Sequence, residues 1–155
     1  MIHYWEPKDY SDLEKAQSFS DLLPTALRIL KRMPQPVAMV SGPITTGGRG
    51  SIEENLHLLS AAVQQAHEKG IHMFDQNPFE DKLQEAKAKI VYEGYCQPVL
   101  DEFYKPIFES GLVASMYFLP DWQTSTGARW ERTECERLGI EIVDYPQEWL
   151  TELEK

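Results

Sequence analysis

The sequence predicts an α/β domain, a parallel sheet with helices on both faces. Its short strand-like runs are apolar and partly β-branched, as strands buried on two sides must be. The runs are "PVAMV" (36–40), "IHMF" (71–74), "LVASMYFL" (112–119) and "IEIV" (140–143). Amphipathic stretches at helical period separate them. Strands alternating with helices imply parallel pairing, with ligands held beyond the carboxyl ends of the strands. The loops 41–50 and 120–127 both fall on that edge.

Residues 1–35 read as an N-terminal helical extension and residues 36–155 as the α/β domain. In the extension, Leu22, Leu23, Ala26, Leu27, Leu30 and Met33 recur at helical spacing, with Pro24 tolerated near the helix start. The first strand, 36–40, follows the break at "MPQP". Residues 51–69 form a strong helix: Ser51 with Glu54 makes a capping box, Ile52, Leu56, Leu59, Val63 and Ala66 make one stripe, and Gly70 ends it. After the strand at 71–74 and the loop "DQNPFED", residues 81–111 are mostly helical, with Pro98 and Pro106 inside them. The strand at 112–119 leads through "PDWQTSTG" into a helix over 128–138, stopped by Gly139. A strand over 140–143 and a short terminal helix complete the chain.

The 155 residues are the size of one ordinary domain, and at 42% hydrophobic they can bury a real core. A net charge of −10 argues against binding the backbone of long DNA or RNA. It does not exclude a small anion in one local pocket. The apolar runs are too short to span a membrane, and Met1–Tyr10 does not read as a signal peptide, so the expected compartment is the cytoplasm. Cys96 and Cys135 imply neither a disulfide framework nor a zinc site, and the histidines show no ligand spacing.

The stretch "MVSGPITTGGRGSIEENL" places Gly42, Gly47, Gly48, Gly50 and Arg49 between a strand and a capped helix. That arrangement presents backbone N–H groups to an anion. The dinucleotide pattern G-x-G-x-x-G is not met. The P-loop pattern is half met, because Gly48 and Arg49 stand where lysine and a hydroxyl residue belong. A single phosphate held by amides and Arg49 suits the loop better than a nucleoside triphosphate. A flexible connection whose glycines only permit turns is the alternative.

In "STGARWERTECERLG", Ala128, Glu131, Cys135 and Leu138 share one helix face, which should pack on the sheet. A carboxylate there is costly unless it is paired or used. Near a helix N-terminus its ionised form is favoured, which suits a nucleophile more than a proton donor. Such a group can attack an anomeric carbon and form a glycosyl ester. A peripheral Glu131 reaching solvent or an arginine is the competing reading. Trp122 could stack on a base or sugar, or pack on its own domain. Asp75 and Asn77 could contact a base or act only as turn formers.

At these residues the sequence resembles the nucleoside 2-deoxyribosyltransferase superfamily, which includes the 2'-deoxynucleoside 5'-phosphate N-hydrolases and DUF4406-type domains. "VSGPI" is similar to the family's first strand and turn, "GGR" to the phosphate-side loop of the monophosphate hydrolases, and "PDWQTSTGARWE" to the DUF4406 pattern. The resemblance covers about residues 36–143. It implies a Rossmann-like or flavodoxin-like domain that cleaves or transfers at the N-glycosidic bond of a (deoxy)nucleoside or its 5'-monophosphate. It implies no metal or redox cofactor, and a homodimer or larger homo-oligomer.

Carried over by position, Glu131 is the nucleophile, and Ser41, Gly42, Ile44, Gly47, Gly48, Arg49, Ser125 and Gly127 line the phosphate and sugar side. The family carries an aspartate at the start of its third strand, where this chain has Gly111 and Leu112; Asp121 is the candidate substitute. A non-catalytic nucleotide-binding module of the same fold is the alternative function. Aromatic residues in "YEGYCQPVLDEFYKPIF", more than one helix face needs, are the chain's own argument for an oligomer.

Overall fold

The computed structural model describes residues 4–44 and 47–154, so Thr45 and Thr46 of the glycine loop lie outside the described residues. Helices α1 (Pro7–Lys15) and α2 (Phe19–Arg32) precede strand β1 (Ala38–Ser41). Then come α3 (Ile52–Glu68), α4 (Asn77–Lys87), α5 (Gln97–Val99), a π turn (Leu100–Tyr104) and α6 (Lys105–Glu109). Strand β2 (Ser115–Phe118), a 3₁₀ turn (Trp122–Thr124), α7 (Thr126–Leu138), β3 (Glu141–Asp144) and α8 (Gln147–Leu153) follow.

The strands form a parallel three-stranded sheet in the order β1-β2-β3, with Ala38 opposite Ser115 and Ser115 opposite Glu141. Period-two alternation sends their side chains to different helices. Met39, Met116, Phe118 and Ile142 pack in a cluster with residues of α2, α4, α6 and α7. Ala38, Val40 and Tyr117 pack with residues of α3 and α8. No helix among the described residues is long and apolar enough to cross a membrane.

The expected strand over 71–74 is a single bridge between Met73 and Ala38. It is closed by Ala38 N–H to His72 O (2.9 Å) and Phe74 N–H to Ala38 O (2.8 Å). The ladder stops because a side chain takes the next acceptor: Gln76 Nε2–H donates to Val40 O at 2.8 Å. The Asp75 carboxylate accepts the Asn77 N–H at 3.0 Å, and α4 begins there, before the expected 81.

The long helical stretch is also broken. Residues 88–96 are non-helical. Beyond them the ladder slips to π spacing, with Lys105 N–H donating to Leu100 O. Pro106, which has no N–H, follows directly. Three aromatics of the surplus read as an oligomer surface are internal, while Tyr92 stays exposed: Phe103, Tyr104 and Phe108 are buried in the cluster that also takes Phe19, Leu22, Ala26, Ile29 and Leu30 of α2. The N-terminal helices thus share one core with the sheet. Helix α1, which the sequence reading missed, is polar and docks by charge. Asp9 is wholly buried against Arg28 (2.8 Å) and Arg32 (2.7 Å).

Helix α3 starts as expected, with Ser51 Oγ accepting the Glu54 N–H at 3.1 Å. A second device was not anticipated. Buried Asn55 holds the glycine loop: its Oδ1 accepts the Arg49 N–H (2.8 Å), and its Nδ2–H donates to Ile44 O (3.0 Å) and Gly47 O (3.2 Å). Asn55→Ala leaves that N–H and those carbonyls without partners. It is expected to cost about 1–3 kcal/mol, read as a lower urea midpoint at unchanged slope.

Candidate functional site

The connections leaving neighbouring strands diverge. The chain after β1 enters α3, on the sheet face that carries Val40, while the chain after β2 enters α7, on the face that carries Phe118. Such a divergence opens a crevice beyond the carboxyl ends of the two strands. A cavity lies there, walled by Gly42 and Ile44 from the first loop and by Ser125, Gly127, Ala128 and Glu131 from the second. Glu80 and Lys87 of α4, with Tyr95, Val99 and Tyr104, complete it. Its volume of about 20 Å³ holds one water-sized group.

Helix α7 begins at Thr126, with Ser125 Oγ accepting the Ala128 N–H at 3.1 Å. The predicted stripe packs inward: Ala128, Glu131 and Cys135 are buried, and Leu138 packs on the core. The helix expected from 128 starts earlier, so Glu131, expected near its N-terminus, falls in the second turn. The field of the helix terminus has largely fallen off there. Burial therefore dominates and pushes the Glu131 carboxyl up to about 8, and nearby Glu80 adds to the rise. The Ser41 hydroxyl opposes this, but it is buried without a well-formed hydrogen bond, so its effect is the smaller. In the closed cavity Glu131 is thus protonated at neutral pH, contrary to the ionised state that the helix-terminus argument implied.

Glu80 is the residue that sequence reasoning missed. It is buried, accepts a hydrogen bond from the Tyr104 hydroxyl, and has its carboxyl raised by burial. Burial also lowers the Lys87 ammonium, which the charge on Glu80 partly restores. Glu80, Leu83 and Lys87 are all buried, and their helical spacing places a charge at each end of an apolar position. That spacing is a signal the sequence did contain.

Of the remaining candidates, Ser41, Gly42, Ile44, Ser125 and Gly127 gather around Glu131. Gly127 is required by close approach: a Cβ there would lie 2.5 Å from the Tyr95 hydroxyl, which covers this wall. Gly47, Gly48, Arg49 and Asp121 are elsewhere. Gly48, Arg49 and Asp121 line a separate cleft with Pro43 and Leu119. Arg49 is 48% exposed, lies 3.8 Å from Glu154, and also borders a groove of about 630 Å³ between α3 and α8.

Three of the amides expected to cradle a phosphate already have protein partners. Gly48 N–H donates to Thr124 Oγ1 (2.9 Å), Arg49 N–H to Asn55, and Gly50 N–H to Gly47 O (3.3 Å). Gly47 has φ +69°, and a side chain there would collide with Thr124, so its glycine joins the two loops. Trp122 packs edge-on to Phe118, with the Arg132 guanidinium 4.3 Å over its ring. Asp75 caps its own turn.

Among the described residues, no group of His, Cys, Asp or Glu is arranged to hold a metal. Compared with family models, curated proteins and solved structures, the chain finds no match.

Between the ordinary carboxyl value of 4.5 and about 8, the folded chain keeps the Glu131 proton that the unfolded chain has released. Stability from this group therefore falls as pH rises across that window. Glu131→Gln removes the dependence. Its stability relative to wild type is expected to improve by at least about 1.4 kcal/mol between pH about 5 and about 8, by urea unfolding at each pH.

Proposed function

We propose that the protein cleaves or transfers at the N-glycosidic bond of a (deoxy)nucleoside or its 5'-monophosphate, with Glu131 as nucleophile. One observation carries this reading: a buried carboxyl opens onto a cavity at the carboxyl edge of a parallel sheet, among Gly42, Ile44, Ser125 and Gly127. These are among the positions that the resemblance to the nucleoside 2-deoxyribosyltransferase superfamily assigns to the phosphate and sugar side. The Rossmann-like arrangement belongs to the same proposal, with Met73 extending the sheet beyond β1 by one bridge.

Attack requires the ionised carboxyl. A sugar whose anomeric carbon gains positive charge beside Glu131 favours that form, so the group is activated in the transition state more than in the empty cavity. A sugar exceeds the present cavity volume. Entry requires Tyr95 to leave Gly127, carried by residues 88–96, which have no regular secondary structure and expose Val91 fully. The same opening would admit a water or a second base as acceptor.

The position of Arg49 favours a second reading, a nucleotide-binding module without turnover. Its guanidinium borders the groove between α3 and α8 and not the Glu131 cavity, so an anion held there sits outside that cavity.

The test is release of free base from a panel of nucleosides and 5'-monophosphates. Wild type is expected to release base, with kcat/KM rising with pH toward about 8 as Glu131 ionises. Glu131→Gln is expected to abolish release while changing ligand affinity only a few-fold. Binding without release by wild type establishes the second reading.

A further inference from the structure

We propose that Lys87 is a reactive amine that condenses with short aldehydes at this cavity, with Glu80 carrying the proton. The assignment rests on Lys87 and the groups around it, and on none of the glycosidase chemistry.

Lys87 ends α4 on the wall of the cavity and is 9% exposed. No other cationic side chain lines this cavity among the described residues. Nor does its Nζ make an ion pair or a hydrogen bond among them; it stands 5.9 Å over the Tyr95 ring, on the side by which a ligand must enter. A lysine that served the fold alone would be paired at this depth, or would reach out to water. Burial lowers its ammonium, which enlarges the share of amine, the form that attacks a carbonyl.

Several elements bring groups to Lys87. Glu80 lies two turns back on the same face of α4, and its charge partly restores the ammonium, as does that of Cys96. Tyr104 of the π turn donates to Glu80 Oε1, and Glu131 on α7 borders the same space. Burial raises the Glu80 carboxyl as it lowers the Lys87 ammonium, so the two approach a state in which one proton passes between them. The space that both border holds one water-sized group, which is room for a carbonyl oxygen. The rest of a short aldehyde would lie toward Tyr95.

The atoms balance. With the proton on Glu80, the Nζ electron pair bonds to the carbonyl carbon. The carbonyl π pair moves to oxygen, which takes the Glu80 proton. The Glu80 carboxylate then takes a proton from the nitrogen and gives it to the hydroxyl. That hydroxyl leaves as water while the nitrogen pair closes the C=N bond. The products are a protonated imine, water and the Glu80 carboxylate. Cation and carboxylate end as the ammonium and carboxylate form began, so no net charge is added to a desolvated cavity. Glu131 keeps its proton throughout.

Reductive trapping tests the assignment. Wild type is treated at neutral pH with glycolaldehyde and cyanoborohydride, and the hydroxyethylated lysines are located by mass spectrometry after digestion. Lys87 is expected to be labelled about tenfold or more faster than exposed Lys89, because the amine fraction grows about tenfold for each pH unit by which an ammonium is lowered. In urea the ratio should fall to about one. Labelling of Lys87 no faster than that of Lys89 leaves it a structural cation over Tyr95 and overturns the proposal. A ratio that survives urea traces to the flanking sequence and overturns it as well.

Glu80→Gln removes the proton carrier. Trapping at Lys87 should fall about tenfold or more, while acetylation of the same amine by acetic anhydride, which needs no dehydration, does not fall. Equal loss in both, or no loss in trapping, overturns the part given to Glu80. Should that variant fail to fold, the wild-type ratio decides. No nucleoside is present in these assays, so a wild type that releases no base leaves Lys87 standing, and failure at Lys87 leaves Glu131 standing.

Discussion

A sheet of three four-residue strands holds together only if both its faces are covered, and the rest of the structure follows from that constraint. Every residue of β1 is buried. One face is covered by α3 and α8, where the Tyr145 hydroxyl donates to Ala62 O (3.0 Å) and Gln65 Nε2–H donates to Trp149 O (2.8 Å). The other face needs more cover than α4, α6 and α7 supply, and α2 provides it. Placing successive helices on opposite faces makes the two carboxyl-edge loops part, so the crevice that receives Glu131 is a by-product of covering the sheet.

Within that frame the chain handles buried acids in two ways. Burial raises the Asp9 carboxyl, but hydrogen bonds from Arg32, the Glu6 N–H and Arg28 outweigh it, and the net shift is downward. That acid is structural, joining α1 to α2. Glu131 is more deeply desolvated and has no cation to offset it, and Glu80 lies nearby to add to the cost. An acid left in that condition costs stability once it ionises, and a perturbed carboxyl of this kind at a sheet edge marks a candidate reactive group.

The loop and the carboxyl, read together in the sequence as one phosphate-and-sugar site, separate in space. Gly42 and Ile44 stay with Glu131, whereas the loop turns at Gly47 and Gly48 against Thr124 and carries Arg49 toward α8. Asn55 explains the turn, since its single side chain ties Ile44 O and Gly47 O and takes the Arg49 N–H that an anion site could have used.

The sequence by itself determined what depends on near neighbours in the chain. The cap at Ser51, the stop at Gly139 and the inward stripe of Ala128, Glu131 and Cys135 all follow from spacing within a turn or two. So does the parallel α/β class, because buried runs and amphipathic runs alternate. Only the tertiary structure decided what depends on groups far apart in sequence. Gln76 ending a strand at Val40, Glu80 meeting Tyr104 beside Glu131, and Asn55 taking the Arg49 amide are of that kind. The protonation of Glu131 belongs with them: it depends on how much water the folded walls exclude and on which charges they bring near, and neither is a property of the residues flanking it.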